Sequence, residues 1–295
     1  MKNPIVSVVI PTYNHANFLR SALDSIIAQS FDDWEAIVIN NYSDDDTIEV
    51  VESYQDMRIH LVNFSNQGVI AAARNHGLSL IKGSYVAFLD SDDIWHPDKL
   101  LHCLKKLREG YDLVCHAEVW FGSKLRCRRV EYGPESRATY ESLLFDGNCL
   151  STSAVVLRRS LLDRVGFFDE SRNIVTAEDY DLWLRVARAS ARIGFLKEVL
   201  GQYRIHGANQ SHGALRNMHA VMAVFQKHCG DLVDSARVLR KRRREAIIFY
   251  SGARSLQDSK QFNQAWEYFI RAIKCYPWIP RIYVAMAFNL FRCSP

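Results

Sequence analysis

Short apolar runs alternate along this chain with segments whose apolar residues recur every three or four positions. Residues 6–10 form an apolar strand stopped by Pro11, and Phe18, Leu19, Ala22, Leu23, Ile26 and Ile27 follow at helical spacing. The alternation then repeats. A strand is predicted over 35–40, followed by a short helix to Tyr54, with Ser43 and Asp46 as a helix-start box. A strand over 58–62, a helix over 69–81 and a strand from Gly83 to Leu89 come next. Pro97 then suits the first position of a helix carrying Leu100, Leu101, Leu104 and Leu107. Strand and helix in this order imply right-handed crossovers and a mostly parallel sheet flanked by helices, an α/β fold of Rossmann-like type.

The pattern is less regular over 112–204. Strands over 112–121 and 125–132 are expected to pair, and 153–157 is a further strand. A helix over 178–189 presents Leu182, Trp183, Val186 and Ala187 as an apolar face. Beyond Gly213 only helices are predicted, over 218–229, 233–257, 261–276 and 282–291. The expected organisation is an α/β region over 1–212, with a nucleotide-binding half over about 1–110, and an all-helical region over 213–295.

Composition narrows the function classes. With 295 residues, 48% of them hydrophobic, the chain can bury a sizeable core. Its formal net charge of +4 is too small to argue for nucleic acid as a bulk partner. Seven scattered cysteines without a CxxC spacing suggest reduced thiols. No apolar run approaches the roughly 20 residues that cross a bilayer, and Met1 to Pro4 lead directly into the first strand, so a cytoplasmic location is expected.

The chemistry concentrates where the fourth strand ends in Asp90-Ser91-Asp92-Asp93. In an extended backbone residues two apart point the same way, so Asp90 and Asp92 would project together with Ser91 turned aside. Two carboxylates at the carboxyl end of a buried strand suit Mg²⁺ or Mn²⁺ at the edge of an open α/β sheet, where ligands bind. A polar turn or helix cap is the plain alternative. There is no GxGxxG, GxxxxGK[ST] or GxSxG motif and no zinc-spaced His/Cys set, which argues against dinucleotide, P-loop, serine-hydrolase and zinc chemistry.

Several segments occur together in one order. They are Val6-Ser7-Val8-Val9-Ile10-Pro11-Thr12-Tyr13-Asn14, Asn40-Asn41-Tyr42-Ser43-Asp44-Asp45-Asp46-Thr47, Asn66-Gln67-Gly68, Ala73-Arg74-Asn75-His76-Gly77 and Asp90-Ser91-Asp92. Gly166-Phe167-Phe168-Asp169-Glu170, Glu178-Asp179 and Tyr203-Arg204-Ile205-His206 complete the set. Over residues 5 to about 211 this resembles a family 2 glycosyltransferase with a GT-A fold, of the inverting, bacterial surface-polysaccharide type.

The resemblance implies a nucleotide-sugar donor, UDP-sugar favoured, and a saccharide or lipid-linked acceptor handled by residues 111–212. Pro11, Thr12, Tyr13 and Asn14 would border the base and ribose. Asn40 stands where the family usually has Asp; its amide could pair with a uracil edge, or it is a turn residue. Arg74 would reach the nucleotide, or else form a salt bridge to a neighbouring acid. Asp90 and Ser91 would bracket the ribose and metal, with Asp92 as the direct metal ligand and His206 a further ligand or a structural histidine. Arg204 would contact the pyrophosphate. Asp179, favoured over Glu178, would be the base that deprotonates the acceptor hydroxyl; both acids also suit a helix N-terminus. Asn148 and Trp183 would shape the acceptor side, although the spacing of Trp183 equally fits core packing. A sugar nucleotidyltransferase or a non-catalytic binder is the competing reading.

Arg240-Lys241-Arg242-Arg243-Arg244 is the one dense charge run. It reads as a solvated helix face, or as an attraction to anionic lipid that would give peripheral contact with the inner face of the plasma membrane. An amphipathic segment over 279–291 would add to such contact, unless it only packs.

Overall fold

The computed structural model describes residues 3–122, 125–207, 213–230 and 235–292. The chain forms two compact units. The first takes the residues up to 143 with 148–170 and 182–206; the second takes 144–147, 171–181 and the described residues from 207 on.

In the first unit, β1 (Val6–Thr12), β2 (Trp34–Asn40), β3 (Ile59–Asn63) and β4 (Tyr85–Phe88) are parallel in the order β3-β2-β1-β4. Their crossovers are α1 (Ala16–Ile27), α2 (Thr47–Glu52) and α3 (Ile70–Leu80). Every residue of β1 and β2 is buried, as expected of a parallel sheet covered on both faces. Val8, Ile10, Leu19, Leu23, Ile26, Trp34 and Val38 form the core beneath α1. On α3, a Cβ at Gly77 would lie 2.6 Å from Val9 Cγ1, so glycine lets this helix settle onto β1.

β1 does not stop at Pro11 but runs through it to Thr12. Val9 O accepts from Leu89 N, so the nitrogen of residue 11 faces the same side, where pairing with β4 has already ended at Val9. The donor that proline lacks is not needed there.

Beyond β4 the pairing turns mixed. β5 (Ile94–Trp95) is followed by α4 (Lys99–Arg108), β6 (Leu113–Gly122) and β7 (Leu125–Val130). β8 (Val155–Arg158) is antiparallel to both β4 and β6, while β9 (Ile193–Arg204) is parallel to β6 and carries β5 on its far side. β7 pairs antiparallel with the second half of β6, as the sequence pattern implied. Three helices link these strands: α5 (Tyr140–Asp146), α6 (Arg159–Val165) and α7 (Glu178–Arg188).

Two expected helix starts differ in detail. Asp46 precedes α2 without a side-chain cap; Asp45 accepts from the Thr47 amide and hydroxyl instead, while the Ser43 hydroxyl turns back to Asn40 Oδ1. Pro97 lies one residue before Asp98, which precedes α4, and is not its first helical residue.

The second unit contains α8 (Ala214–Cys229), α9 (Ser235–Asp258), α10 (Phe262–Cys275) and α11 (Pro280–Leu290). Val224, Phe225, Ala246, Ile248, Leu256, Phe269 and Ile282 are buried in it. Asp181, fully buried, accepts from Lys227 Nζ at 2.7 Å and lies 2.9 Å from His228 Nε2. The expected start of the second C-terminal helix at Val233, and Cys293, lie outside the described residues. Among the described residues no helix is long and apolar enough to cross a membrane.

Candidate functional site

In the first unit the parallel strands β1, β2 and β4 end along one edge of the sheet, and three turns follow them. After β1, Asn14 adopts a positive φ of 52°, which asparagine tolerates better than most residues. Its amide donates to Ser43 Oγ at 2.9 Å and its Oδ1 accepts from Asp44 N at 2.8 Å, which ties the first turn to the second. Tyr13, half exposed, offers its ring to solvent beside the buried Thr12. Asp45 binds both helices that open here, through Ala16 N and Thr47 N. Burial pulls its carboxyl upward, but the hydrogen bonds from the Thr47 hydroxyl and from Ala16 and Thr47 outweigh that and hold it below its ordinary value.

Asn40 does not present an edge to a base. It is fully buried; its Nδ2 donates to Asn63 Oδ1 at 2.8 Å, and its Oδ1 accepts from the Ser43 amide and hydroxyl. Both ends of the amide brace the turn, so the residue positions 41–46.

The acidic turn after β4 is not extended. The strand ends at Phe88 and Asp93 N donates to Asp90 O, which makes 90–93 a tight turn. Asp90 Oδ1 is 2.7 Å from the buried Arg74 guanidinium, so the salt-bridge alternative for Arg74 is the one adopted. Ser91 Oγ lies 2.8 Å from His15 Nδ1. Asp92 Oδ2 lies 2.8 Å from His206 Nε2, and the His15 and His206 rings are 5.8 Å apart. Burial first, and then the neighbouring Asp90 charge, push the Asp92 carboxyl above its ordinary value against the hydrogen bond from His206.

Arg204 and His206 reach this turn together. Arg204 N donates to Asp93 Oδ1 and its Nε to Asp92 O, both at 2.9 Å, with the guanidinium between the rings of Phe18 and Phe121. Asp90, Ser91, Asp92, Arg74, Arg204 and His206 are therefore one cluster.

Beneath it lies a buried polar layer that sequence reasoning missed. Asp93 and Glu118 are each 1% exposed, and burial raises both carboxyls, Asp93 far above the ordinary range. Lys99, fully buried, donates from Nζ to Ser153 O at 2.6 Å and sits over the Trp95 ring; burial pulls its ammonium down to about 7. Ser153 Oγ in turn accepts from Asp90 N. Glu118, an acid within the mostly apolar run of β6, is a signal of this layer visible in the sequence.

Two acceptor-side residues belong to the first unit. Asn148 is exposed and accepts from Leu150 N at 3.0 Å. Trp183 is fully buried, so it packs the core, as its helical spacing allowed, and offers no surface to an acceptor.

Glu178 and Asp179 open α7 within the second unit. Glu178 is buried and accepts from Thr176 N at 2.8 Å, where Thr176 holds a φ of 90°, a costly value for a β-branched residue. Asp179 is partly exposed and accepts from Tyr180 N at 2.7 Å.

The donor set of the acidic turn fits a hard divalent cation. A carboxylate whose charged form is disfavoured by burial and a like-charged neighbour, with an imidazole beside it, gains most from a positive ion. Among the described residues no group of three or more His, Cys, Asp or Glu side chains is arranged to hold a metal, so other ligands would have to complete the shell.

Comparisons with known proteins place these features in context. Residues 7–166 match the family model for glycosyl transferase family 2. The chain is 32% identical over 231 residues to an uncharacterized glycosyltransferase of Rickettsia prowazekii, RP339, covering 73% of this chain and 69% of that one. It is 31% identical over 212 residues to TuaG of Bacillus subtilis, a putative teichuronic acid biosynthesis glycosyltransferase, covering 68% and 79%. It is also 31% identical over 217 residues to AmsB of Erwinia amylovora, an amylovoran biosynthesis glycosyltransferase, covering 70% and 71%. Among solved structures, S. aureus TarS 1–349 with UDP-GlcNAc superposes with a TM-score of 0.65 at 19% identity, covering 98% of this chain and 88% of that one. The mannosyltransferase PcManGT of Pyrobaculum calidifontis, with GDP-Man and Mn²⁺, also gives 0.65, at 20% identity, covering 99% and 86%.

Proposed function

The chain belongs to glycosyl transferase family 2 and has the GT-A fold, and from that premise we propose that it is an inverting sugar transferase of cell-surface polysaccharide synthesis. Its donor is a nucleoside diphosphate sugar and its acceptor a hydroxyl of a saccharide or lipid-linked glycan. The names of TuaG and AmsB support the pathway class. The observation that carries the reading is the Asp90–Asp92–His206 cluster at the carboxyl edge of the sheet.

The residues divide the work as follows. Tyr13 and the turn after β2 receive the base, while Asn40 and Asn14 hold that turn in shape. Asp92, with Asp90 and His206, would hold Mn²⁺ or Mg²⁺, and Arg74 fixes the Asp90 carboxylate. When bound, the ion neutralises charge on the departing diphosphate. One or two carboxylates with substrate phosphates and water make a sufficient shell for such an ion. Arg204 adds positive charge beside the turn.

Asp179 is the proposed base. Of the two acids that open α7 it is the one that reaches solvent, whereas Glu178 is buried against the Thr176 amide. Its carboxylate takes the proton of the acceptor hydroxyl as that oxygen attacks the anomeric carbon. The bond from that carbon to the diphosphate breaks on the opposite face, and the bonding pair leaves with the nucleoside diphosphate. UDP-sugars are the first donors to test, given the UDP-GlcNAc held by TarS.

The test is nucleoside diphosphate release from UDP-, GDP- and dTDP-sugars with Mn²⁺ and candidate acceptors. Asp179→Asn should lower turnover by about 10²–10⁴-fold while donor affinity holds within a few-fold. Turnover near that of the wild type in this variant would remove Asp179 from the mechanism.

A further inference from the structure

The second unit carries a surface that sugar transfer does not use. Helix α11 is apolar on both sides. Its inner face is pinned: Ile282, Ala285 and Asn289 are buried, the fully buried Gln257 donates from Nε2 to Ala285 O, and Asn289 Nδ2 donates to Phe262 O, both at 3.0 Å. Positions 283, 284, 287, 288 and 291 recur at helical spacing on the outer face, and all are exposed. They place Tyr283, Val284, Ala287, Phe288 and Phe291 in one stripe, with Trp278 at its head. Trp278 and Phe291, which flank this helix, are 78% and 75% exposed, and buried hydrogen bonds fix the helix's register between them. Such a contiguous apolar stripe marks an interaction surface.

Charge identifies the occupant. Residues 235–292 hold twelve Lys and Arg against three Asp and Glu, in a chain whose total formal charge is only +4. The stripe itself contains no acid and is bounded by Arg281 and Arg292. Of the charged run of α9, Arg240 lies over the Phe145 ring, Arg243 faces Asp146 and Arg244 is buried, whereas Arg242 is exposed. Arg242 lies within electrostatic range of Cys275, the last residue of α10, and Cys275 leads through Tyr276 and Pro277 to Trp278. Lys274 lies on that same final turn.

We infer that the outer face of α11, with Lys274, Arg242 and Arg281 at its head, docks onto the anionic surface of a lipid bilayer. Trp278 and Tyr283 enter the headgroup layer and Phe288 and Phe291 reach the acyl boundary. The long basic side chains remain at the phosphates. A second copy of this chain is the poorer occupant, because pairing α11 with itself would bring the two basic surfaces together. The inference does not depend on which sugar is moved.

The test is cosedimentation of the full chain with vesicles of phosphatidylcholine alone or with phosphatidylglycerol. Binding is expected to the anionic vesicles only, and to weaken about fivefold for each of Arg242→Gln and Lys274→Gln. Phe288→Asp should abolish binding while leaving nucleotide affinity unchanged, and Phe291→Asp, at a position 75% exposed, should weaken binding with the melting temperature unchanged as well. Equal binding to both vesicle types, no binding to either, or retention by Phe288→Asp would overturn the inference. So would a wild-type dimer that Phe288→Asp dissociates without any effect on vesicles. Failure here leaves donor turnover with a water-soluble acceptor untouched, so the two readings fall separately.

Discussion

Lys99 concentrates the electrostatics of the site's lower layer in one residue. Its ammonium is fully buried and pulled down to about 7 from an ordinary value of 10.5. Below about 7 both folded and unfolded chains carry the proton, and the burial penalty is present in full. Between about 7 and 10.5 the unfolded chain binds more protons, so stability rises with pH across that window. Lys99→Met should therefore gain on the wild type at about pH 6.5 and lose that advantage towards about pH 9, read as melting temperature against pH. A difference between the two that does not change with pH would contradict the assignment. Arg74→Met removes the partner of Asp90 across a buried contact and should cost about 1–3 kcal/mol, measured by denaturant unfolding. At this scale the sequence was informative about residue type and less so about orientation. Asp90, Asp92, Arg204 and His206 lie in one cluster, but 90–93 is a tight turn and not the extended segment that the spacing of Asp90 and Asp92 assumed. Asn40 turned inward because Ser43 and Asn63 satisfy both ends of its amide, and Asn63 arrives from β3, a pairing that no local pattern specifies.

At the scale of elements, short and mostly apolar runs between helices located every strand of the parallel half, although β3 carries His60 and is only partly buried. It was weaker at ends, where one hydrogen bond decides. Asp45 rather than Asp46 serves α2, and Pro97 falls just outside α4. The buried Asp93–Lys99–Glu118 layer was not legible, because it depends on β6 and β9 pairing over some eighty residues of intervening chain. That pairing also delivers Arg204. A Cβ on Gly122 would stand 2.1 Å from Ile205 O, where the end of β6 lies against the segment joining Arg204 to His206. Gly122→Ala should push that segment outward, costing about 1–3 kcal/mol in urea unfolding and weakening metal-dependent nucleotide binding. Unchanged stability and binding would show that the close approach has no consequence.

At the scale of the whole molecule, the point where strand patterns cease suggests an α/β region over 1–212 and a helical region over 213–295. The sequence does not reveal that residues 144–147 and 171–181 group with the helical unit. Asp181 is the reason within that unit, since a buried carboxylate held by Lys227 and His228 binds the start of α7 to α8. Asp181→Leu leaves those donors without their carboxylate and should cost about 3–5 kcal/mol, detected as an earlier thermal transition. The central claim is that the acidic turn holds an ion which in turn holds a nucleoside diphosphate. Calorimetric titration of UDP with and without Mn²⁺, into the wild type and Asp92→Ala, tests it most directly. The account predicts wild-type binding at least about tenfold tighter with Mn²⁺, and a variant in which the ion makes no difference. Equal UDP affinity with and without the ion in the wild type, or an undiminished ion effect in Asp92→Ala, would contradict it.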